Sequence, residues 1–313
     1  MKKQLQNISI AGCIGAGKSM ISKELEKEGY QIVSAGSLFR QYAKEHNISI
    51  EEAISGHTEI DTKIDSNIVN LGKTKSGIVF DSRMAWHFVP DSFKVFVYAD
   101  LDVAADRVFK ANRETESFQT IEECKNNILS RQSKELANYQ KMYGQDYMDS
   151  KNYDLIIDST YATPEEVAKK ILECIDHPHA KFQMNPRSLY PTQNIRDLSG
   201  EILDQYVKKE IPAGSIKIGC YDGYFGVTDG HHRFLAAAIN KEPFISAEFD
   251  PMPEKTHIVS KTEIYNYEDV AGFYYSEYPE DKEKYCLVEF CNESPEITVG
   301  FEKEKEDVLE VEP

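Results

Sequence analysis

The sequence predicts an α/β fold: a parallel sheet with helices on both faces, followed by a smaller α+β unit. Three observations predict it. Short β-rich runs alternate with helical stretches from residue 7 to about residue 176. A glycine-rich turn, GCIGAGKS at 12–19, joins the first run to the first helix. Near Asp176 the alternation stops, and hairpin-like runs around a single helix replace it.

Taken in order, NISIAG is the first apolar strand, and GKSMISKELEKEG is an amphipathic helix ended by Gly29. YQIVSAG, GIVFDS, FKVFVYAD and YDLIIDS follow as strands two to five. The spacing predicts helices over 37–45, 58–71, 101–112, 120–143 and 164–175. The last opens on TPEE, with Thr163 as cap and Pro164 at the first helical position. DHPHAKFQMNPRS has no period and reads as a linker. SIKIGCYDGYFGVTDG reads as a hairpin turning at Asp222-Gly223. HHRFLAAAIN is a helix and PFISAEFD a strand. The expected organisation is a first domain over 1–177, a linker over 178–184, a second domain over 185–252 and an extension with an acidic tail over 253–313.

The chain has 313 residues, enough for two cores, and a net charge of −17. Residues 1–178 hold 22 Lys and Arg against 27 Asp and Glu, a net of −5. Residues 179–313 hold 14 against 26, a net of −12. A surface that negative repels a phosphate backbone, so DNA is not the expected partner of the second half. No apolar run approaches the length of a membrane span, and MKKQLQNISIAG is expected to lead straight into a strand rather than to act as a signal peptide. The six cysteines are scattered without a CxxC pair, which fits free thiols in a reducing compartment. A cytoplasmic protein is expected.

GCIGAGKS matches GxxxxGK[ST], the pattern of a loop that wraps its N–H groups around phosphate oxygens. Gly12, Gly15, Ala16, Gly17, Lys18 and Ser19 would bind ATP. Lys18 would neutralise the β- and γ-phosphates, and the Ser19 hydroxyl would hold Mg²⁺. The helix that starts there adds its positive end.

SAGSLFR at 34–40, DTKID at 61–65, VFDSRMAW at 79–86, YQKMYG at 139–144 and NYDLIIDST at 152–160, with arginines spread over 107–131, resemble the cytidylate kinase family, in particular its compact archaeal-type branch. The likeness runs over about residues 5–176. It implies a P-loop kinase that moves the γ-phosphate of ATP to a nucleoside monophosphate with Mg²⁺ and a closing lid. Arg40 and Arg83 match its acceptor-phosphate arginines, and both follow strand ends, where ligands bind in such folds. Asp81 would hold the Mg²⁺ water or polarise the acceptor. Arg107, Arg113 and Arg131 fall on the expected lid helices, Arg107 on the acceptor side and the other two over the transferring group. Asp65 would touch the acceptor sugar or base. Each of these side chains has a second reading as an ordinary surface charge. Two positions depart from the pattern: Ser37 stands where the family often has Asp, and Asn138 where it often has Arg. Both departures touch the acceptor side, so a modified nucleotide, an amino acid or a sugar is the alternative acceptor.

In the second half, MNPRSLYPTQNIR and DGHHR resemble the ParB/sulfiredoxin superfamily, over about residues 184–250. The resemblance implies a phosphate site at Asp229, Gly230, His231, His232 and Arg233, with Glu201 as a base of the kind used by the free-serine kinases of that group. His231 stands where sulfiredoxins carry cysteine, which argues against sulfinic acid repair. The alternative for DGHHR is a capped helix start with His232 packed in the core. Consecutive helix residues point about 100° apart, so two adjacent histidines chelate one metal poorly. The expectation is an ATP-dependent phosphotransferase with a second phosphate- or nucleotide-binding domain. A ParB-like nucleotide-controlled binding module is the alternative from another class.

Overall fold

The computed structural model describes residues 5–36, 44, 58–111, 118–191, 200–207, 214–221 and 224–249. Arg40, Arg113, Ser37, the Asp222-Gly223 turn and the helix expected over 37–45, apart from residue 44, lie outside them.

The described strands form one ten-stranded sheet. They are β1 (Ile8–Gly12), β2 (Gln31–Ser34), β3 (Ile78–Asp81), β4 (Phe93–Tyr98), β5 (Leu155–Asp158), β6 (Phe182–Met184), β7 (Leu189–Pro191), β8 (Ile216–Tyr221), β9 (Tyr224–Asp229) and β10 (Ile245–Phe249). Their spatial order is β2-β3-β1-β4-β5-β6-β10-β8-β9-β7. The first six are parallel, so their C-terminal ends share one edge. The register sets Ile10 beside Asp81, Gly12 beside Val97 and Tyr98 beside Asp158.

The helices are α1 (Lys18–Lys27), α2 (Thr58–Thr74), α3 (Ala85–Phe88), α4 (Leu101–Ala111), α5 (Ile121–Tyr143), α6 (Pro164–Asp176), α7 (Gly200–Val207) and α8 (His231–Ile239). The α6 start is a full capping box between Thr163 and Glu166, with Pro164 in the first turn. The Thr120 hydroxyl accepts from the Glu123 N–H at the start of α5, and Gly144 closes that helix at φ 65°. One core lies between α1, α6 and the sheet: Ile21 and Leu25 meet Val167, Ile171, Ile8, Val95 and Ile157, all essentially inaccessible. A second core joins Met184, Leu189, Ile216, Ile218, Val227 and Phe234.

The segment expected to be a linker needs correcting. Residues 182–184 form β6, paired in parallel with β5 (Ile156↔Phe182) and antiparallel with β10 (Ile245↔Met184). Phe182 packs against the second core and also against the cluster around Phe96 and Tyr153. The two halves therefore share a sheet. Burial of Phe182 and Met184 and the hydrogen bonds of two flanking strands outweigh the weak local preference of three residues. The hairpin strands are found where expected, antiparallel and in register at Tyr221↔Tyr224. Among the described residues no helix is long and apolar enough to cross a membrane.

Candidate active site at the sheet edge

The glycine-rich loop follows β1 at the shared edge. Gly12 is tightly enclosed: a side-chain carbon there would come within 2.2 Å of the Val97 carbonyl oxygen on β4. One at Gly15 would come within 2.6 Å of the Ala104 carbonyl oxygen on α4. Gly17 begins α1 at φ 81°, with no side-chain cap and open space around it. The first N–H groups of α1 are thus presented to whatever lies in the loop.

Half-buried Lys18 reaches back over the loop, and its Nζ donates to the carbonyls of Gly12 (3.0 Å) and Cys13 (2.6 Å). Burial, and next the Arg83 guanidinium, push its pKa down to about 8, while Asp81 opposes them. The Ser19 Oγ is 3.4 Å from Asp81 Oδ2 at the end of β3, and Ser34 Oγ is 3.5 Å from the same oxygen. Two neighbouring oxygens of an octahedral Mg²⁺, each about 2.1 Å from the ion, lie about 3 Å apart, so this hard-oxygen pair fits that cation. Among the described residues no three His, Cys, Asp or Glu side chains converge on a metal site.

Arg83, two residues past Asp81, faces the same loop. Its Nε lies 2.9 Å from Glu135 Oε2, and both side chains are largely buried. Glu135 Oε1 accepts from Arg131 Nε at 3.1 Å. One carboxylate of α5 therefore holds two of the expected arginines. Burial is the largest single influence on Arg83 and would lower its pKa, but Glu135, Tyr139 and Tyr147 together overcome it and hold it above its ordinary value. Glu135 is the residue that sequence reasoning missed. Its only signal was a place one helical turn after Arg131.

Asp65 is on α2 and accepts from the Tyr143 hydroxyl at 2.5 Å. Burial raises its pKa, against the Tyr143 hydrogen bond and the nearby His87. The pair lines an open cleft of about 590 Å³ between α2 and the end of α5, with Thr62, Asn70 and Lys73 also on its wall. Tyr143 lies eight residues past Glu135 on the same helix, about 12 Å along its axis.

Arg107 is not in this group. Its guanidinium donates to the carbonyls of Ser159 (2.7 Å) and Thr160 (2.9 Å), past the end of β5. Since the order is β3-β1-β4-β5, Arg107 stands on one side of the loop and Asp81 and Arg83 on the other. Asn138 sits on α5 between Glu135 and Tyr139.

In the second half, α8 starts at Gly230 (φ 86°) with no side-chain cap. The Arg233 guanidinium lies across that glycine, 2.9 Å from where a side-chain carbon would be, with its Nη2 3.7 Å from Asp229 Oδ2. Of the two histidines, His231 is the buried one, at 5 % exposure, and burial lowers its pKa. His232 is partly exposed, and its Nδ1 is 2.7 Å from the Tyr206 hydroxyl. That reverses the alternative in which His232 fills the core. Glu201 is exposed in the first turn of α7, the helix that carries Tyr206.

Comparison with known proteins addresses the first half. The profile of the Cytidylate kinase-like family matches residues 61–161. The cytidylate kinase of Thermoplasma volcanium is 34 % identical over 190 residues, which cover 58 % of this chain and 97 % of that enzyme. The cytidylate kinase of Pyrococcus abyssi is 34 % identical over 186 residues, covering 58 % and 99 %. An S-adenosylmethionine-dependent nucleotide dehydratase of Lacinutrix mariniflava is 33 % identical over 171 residues, covering 53 % of this chain and 35 % of that protein. Among solved structures, a shikimate kinase of Acinetobacter baumannii aligns with 55 % of the chain and 93 % of its own, at a TM-score of 0.37 and 16 % identity. By the near full-length match to two cytidylate kinases, the chain belongs, through its first half, to the cytidylate kinase-like family of ATP-dependent kinases.

Proposed function

We propose that the first half transfers the γ-phosphoryl group of ATP to a nucleoside monophosphate, with CMP or dCMP as the leading acceptors. The observation that carries this is the meeting of Lys18, Ser19, Asp81 and Arg83 at one end of β1 and β3. Phosphoryl transfer is mostly positioning and charge neutralisation. In this reading the loop N–H groups and Lys18 hold the donor phosphates, and Ser19 and Asp81 hold Mg²⁺. The cation neutralises phosphate charge when bound. Arg83 and Arg131, braced by Glu135, face the acceptor phosphate and the group in flight. Arg40 and Arg113 complete the set in the family pattern. The cleft at Asp65 and Tyr143 takes the acceptor nucleoside, its base meeting the carboxyl and its sugar the polar wall. The dehydratase relative, named for a nucleotide, supports the same acceptor class.

ADP formation with Mg²⁺-ATP and a panel of nucleoside monophosphates, nucleosides, amino acids and sugars tests the reading. CMP or dCMP should give ADP well above a Lys18→Ala background. ADP at that background with every acceptor would overturn it. A clear preference for an amino acid or sugar would move the acceptor to the alternative class that Asn138 motivates.

The second half is read as a phosphate- or nucleotide-binding unit of ParB/sulfiredoxin type. The strand–Gly230–α8 start and the guanidinium across it support that. In this reading Asp229 orients Arg233, the Tyr206 hydroxyl orients His232, and Glu201 is the neighbouring carboxylate. Protection of α8 from hydrogen exchange on adding CTP or ATP tests it. No protection with a Lys18→Ala chain, whose first site is disabled, would count against it.

A further inference from the structure

The turn after β6 lies beside the glycine-rich loop and belongs to the second half. Because β6 is parallel to β5, its end at Met184 faces the same edge as the end of β5 at Asp158. Asp158 is wholly buried. Its Oδ1 accepts from the Thr160 N–H at 2.9 Å and from the Thr160 hydroxyl. Its Oδ2 accepts from the Asn185 N–H at 3.3 Å. Burial raises the pKa of this carboxyl, and Ser188, Thr160 and Asn185 act against that rise. The next residue, Ser159, donates its hydroxyl to the carbonyl of Ala16 in the glycine-rich loop (3.0 Å) and to that of Tyr98 (2.8 Å). The Thr160 hydroxyl accepts from the Asp100 N–H, and Asp100 caps the start of α4.

The second half contacts Tyr161 and also Tyr98, whose carbonyl accepts from the Ser159 hydroxyl. The Arg187 guanidinium lies 5.2 Å from the centre of the Tyr161 ring and donates to the Tyr161 carbonyl at 3.4 Å. Phe225 of β9 meets Tyr98 edge-on at 5.3 Å. The 186–188 turn also packs against α8, and Asn185 Nδ2 donates to the Pro243 carbonyl at 3.0 Å. Residues 159–161 and Arg107 thus form the wall of the loop opposite Asp81 and Arg83. In-line transfer puts acceptor and leaving diphosphate on opposite sides of the moving group. With the acceptor toward Arg83, the donor's nucleoside extends toward residues 159–161.

We propose that Arg187, with Asp158 and Tyr161, is a positioning residue for the donor nucleotide, so that the second half sets the affinity of the kinase for ATP. This rests on the assignment of the glycine-rich loop to ATP. Arg187 touches no reacting atom; it fixes Tyr161 and hence the carbonyls that hold Arg107.

The test is titration of the full chain with N-methylanthraniloyl-ATP, alongside steady-state kinetics on the best acceptor. Arg187→Ala should weaken nucleotide binding about three- to tenfold, the effect of losing one partly buried cationic contact and a hydrogen bond. Arg187→Lys should recover part of it. KM for the acceptor should stay within about twofold, since that side is braced by Glu135 instead. Tyr161→Ala should match Arg187→Ala. Arg187 is half-buried in the 186–188 turn and is part of neither hydrophobic core, and thermal melting of each variant beside the titration checks that the fold is kept. Equal affinity in native, Arg187→Ala and Tyr161→Ala chains overturns the proposal. So does a fall in kcat alone, the sign of a smaller folded fraction. A native chain that binds no ATP analogue overturns both this and the kinase assignment, which separates the two failures.

Discussion

Lys18 is held over its own loop by two carbonyls, at a pKa of about 8. A triphosphate must draw the ammonium away from them, and it binds the charged form. As pH rises through about 8 the free protein loses that proton, so ATP affinity should fall and binding should take up a proton. Calorimetric titrations at pH 7 and 9 in buffers of different ionisation enthalpy check this. Removing the charge altogether with Lys18→Ala should lower kcat/KM by about a hundredfold or more. Glu135→Gln keeps shape but releases Arg83 and Arg131; about a tenfold loss in kcat with little change in ATP affinity is expected from initial-rate kinetics. Lys18 was readable because a motif fixes its neighbours. Glu135 was not, because its partner Arg83 lies 52 positions away and the pairing exists only once α5 crosses the end of β3.

Elements differ in how strongly their own residues define them. β1, β3, β4 and β5 are apolar runs buried on both faces, and α6 carries its start signal in TPEE, so all were legible. Thr163→Ala removes the cap and should cost about 1 kcal/mol in urea denaturation. β6 was not legible. It is Phe-Gln-Met after a His-Pro-His stretch, and only its neighbours on both sides make it a strand. The loop glycines are fixed by contacts rather than by turn type. Gly12→Ala should remove nucleotide binding and lower the melting temperature, because the added carbon meets β4 backbone, which cannot yield as a side chain does.

For the whole molecule, the alternation of strands and helices correctly gave the α/β class, while the composition change at Asp176 suggested a seam that the sheet does not have. Sequence marks where a pattern changes; it does not mark which strand edges remain to be paired. β5 would be an open edge without β6, and Ile156 and Phe182 would lose their shared contacts. A chain ending at residue 178 should therefore melt at a lower temperature and associate more readily than one ending at residue 249. Scanning calorimetry and light scattering would show it.

The strand bonds across that edge also govern what a protease can do. A single cut between α6 and β6 breaks the backbone without breaking the β5–β6 ladder, the Asp158–Asn185 bond or the packing of Phe182. The two fragments should stay together as a nicked whole on a sizing column and come apart only in denaturant. Expressed separately, they should behave as a split pair: each half would be the other's missing strand, and kinase activity would return on mixing.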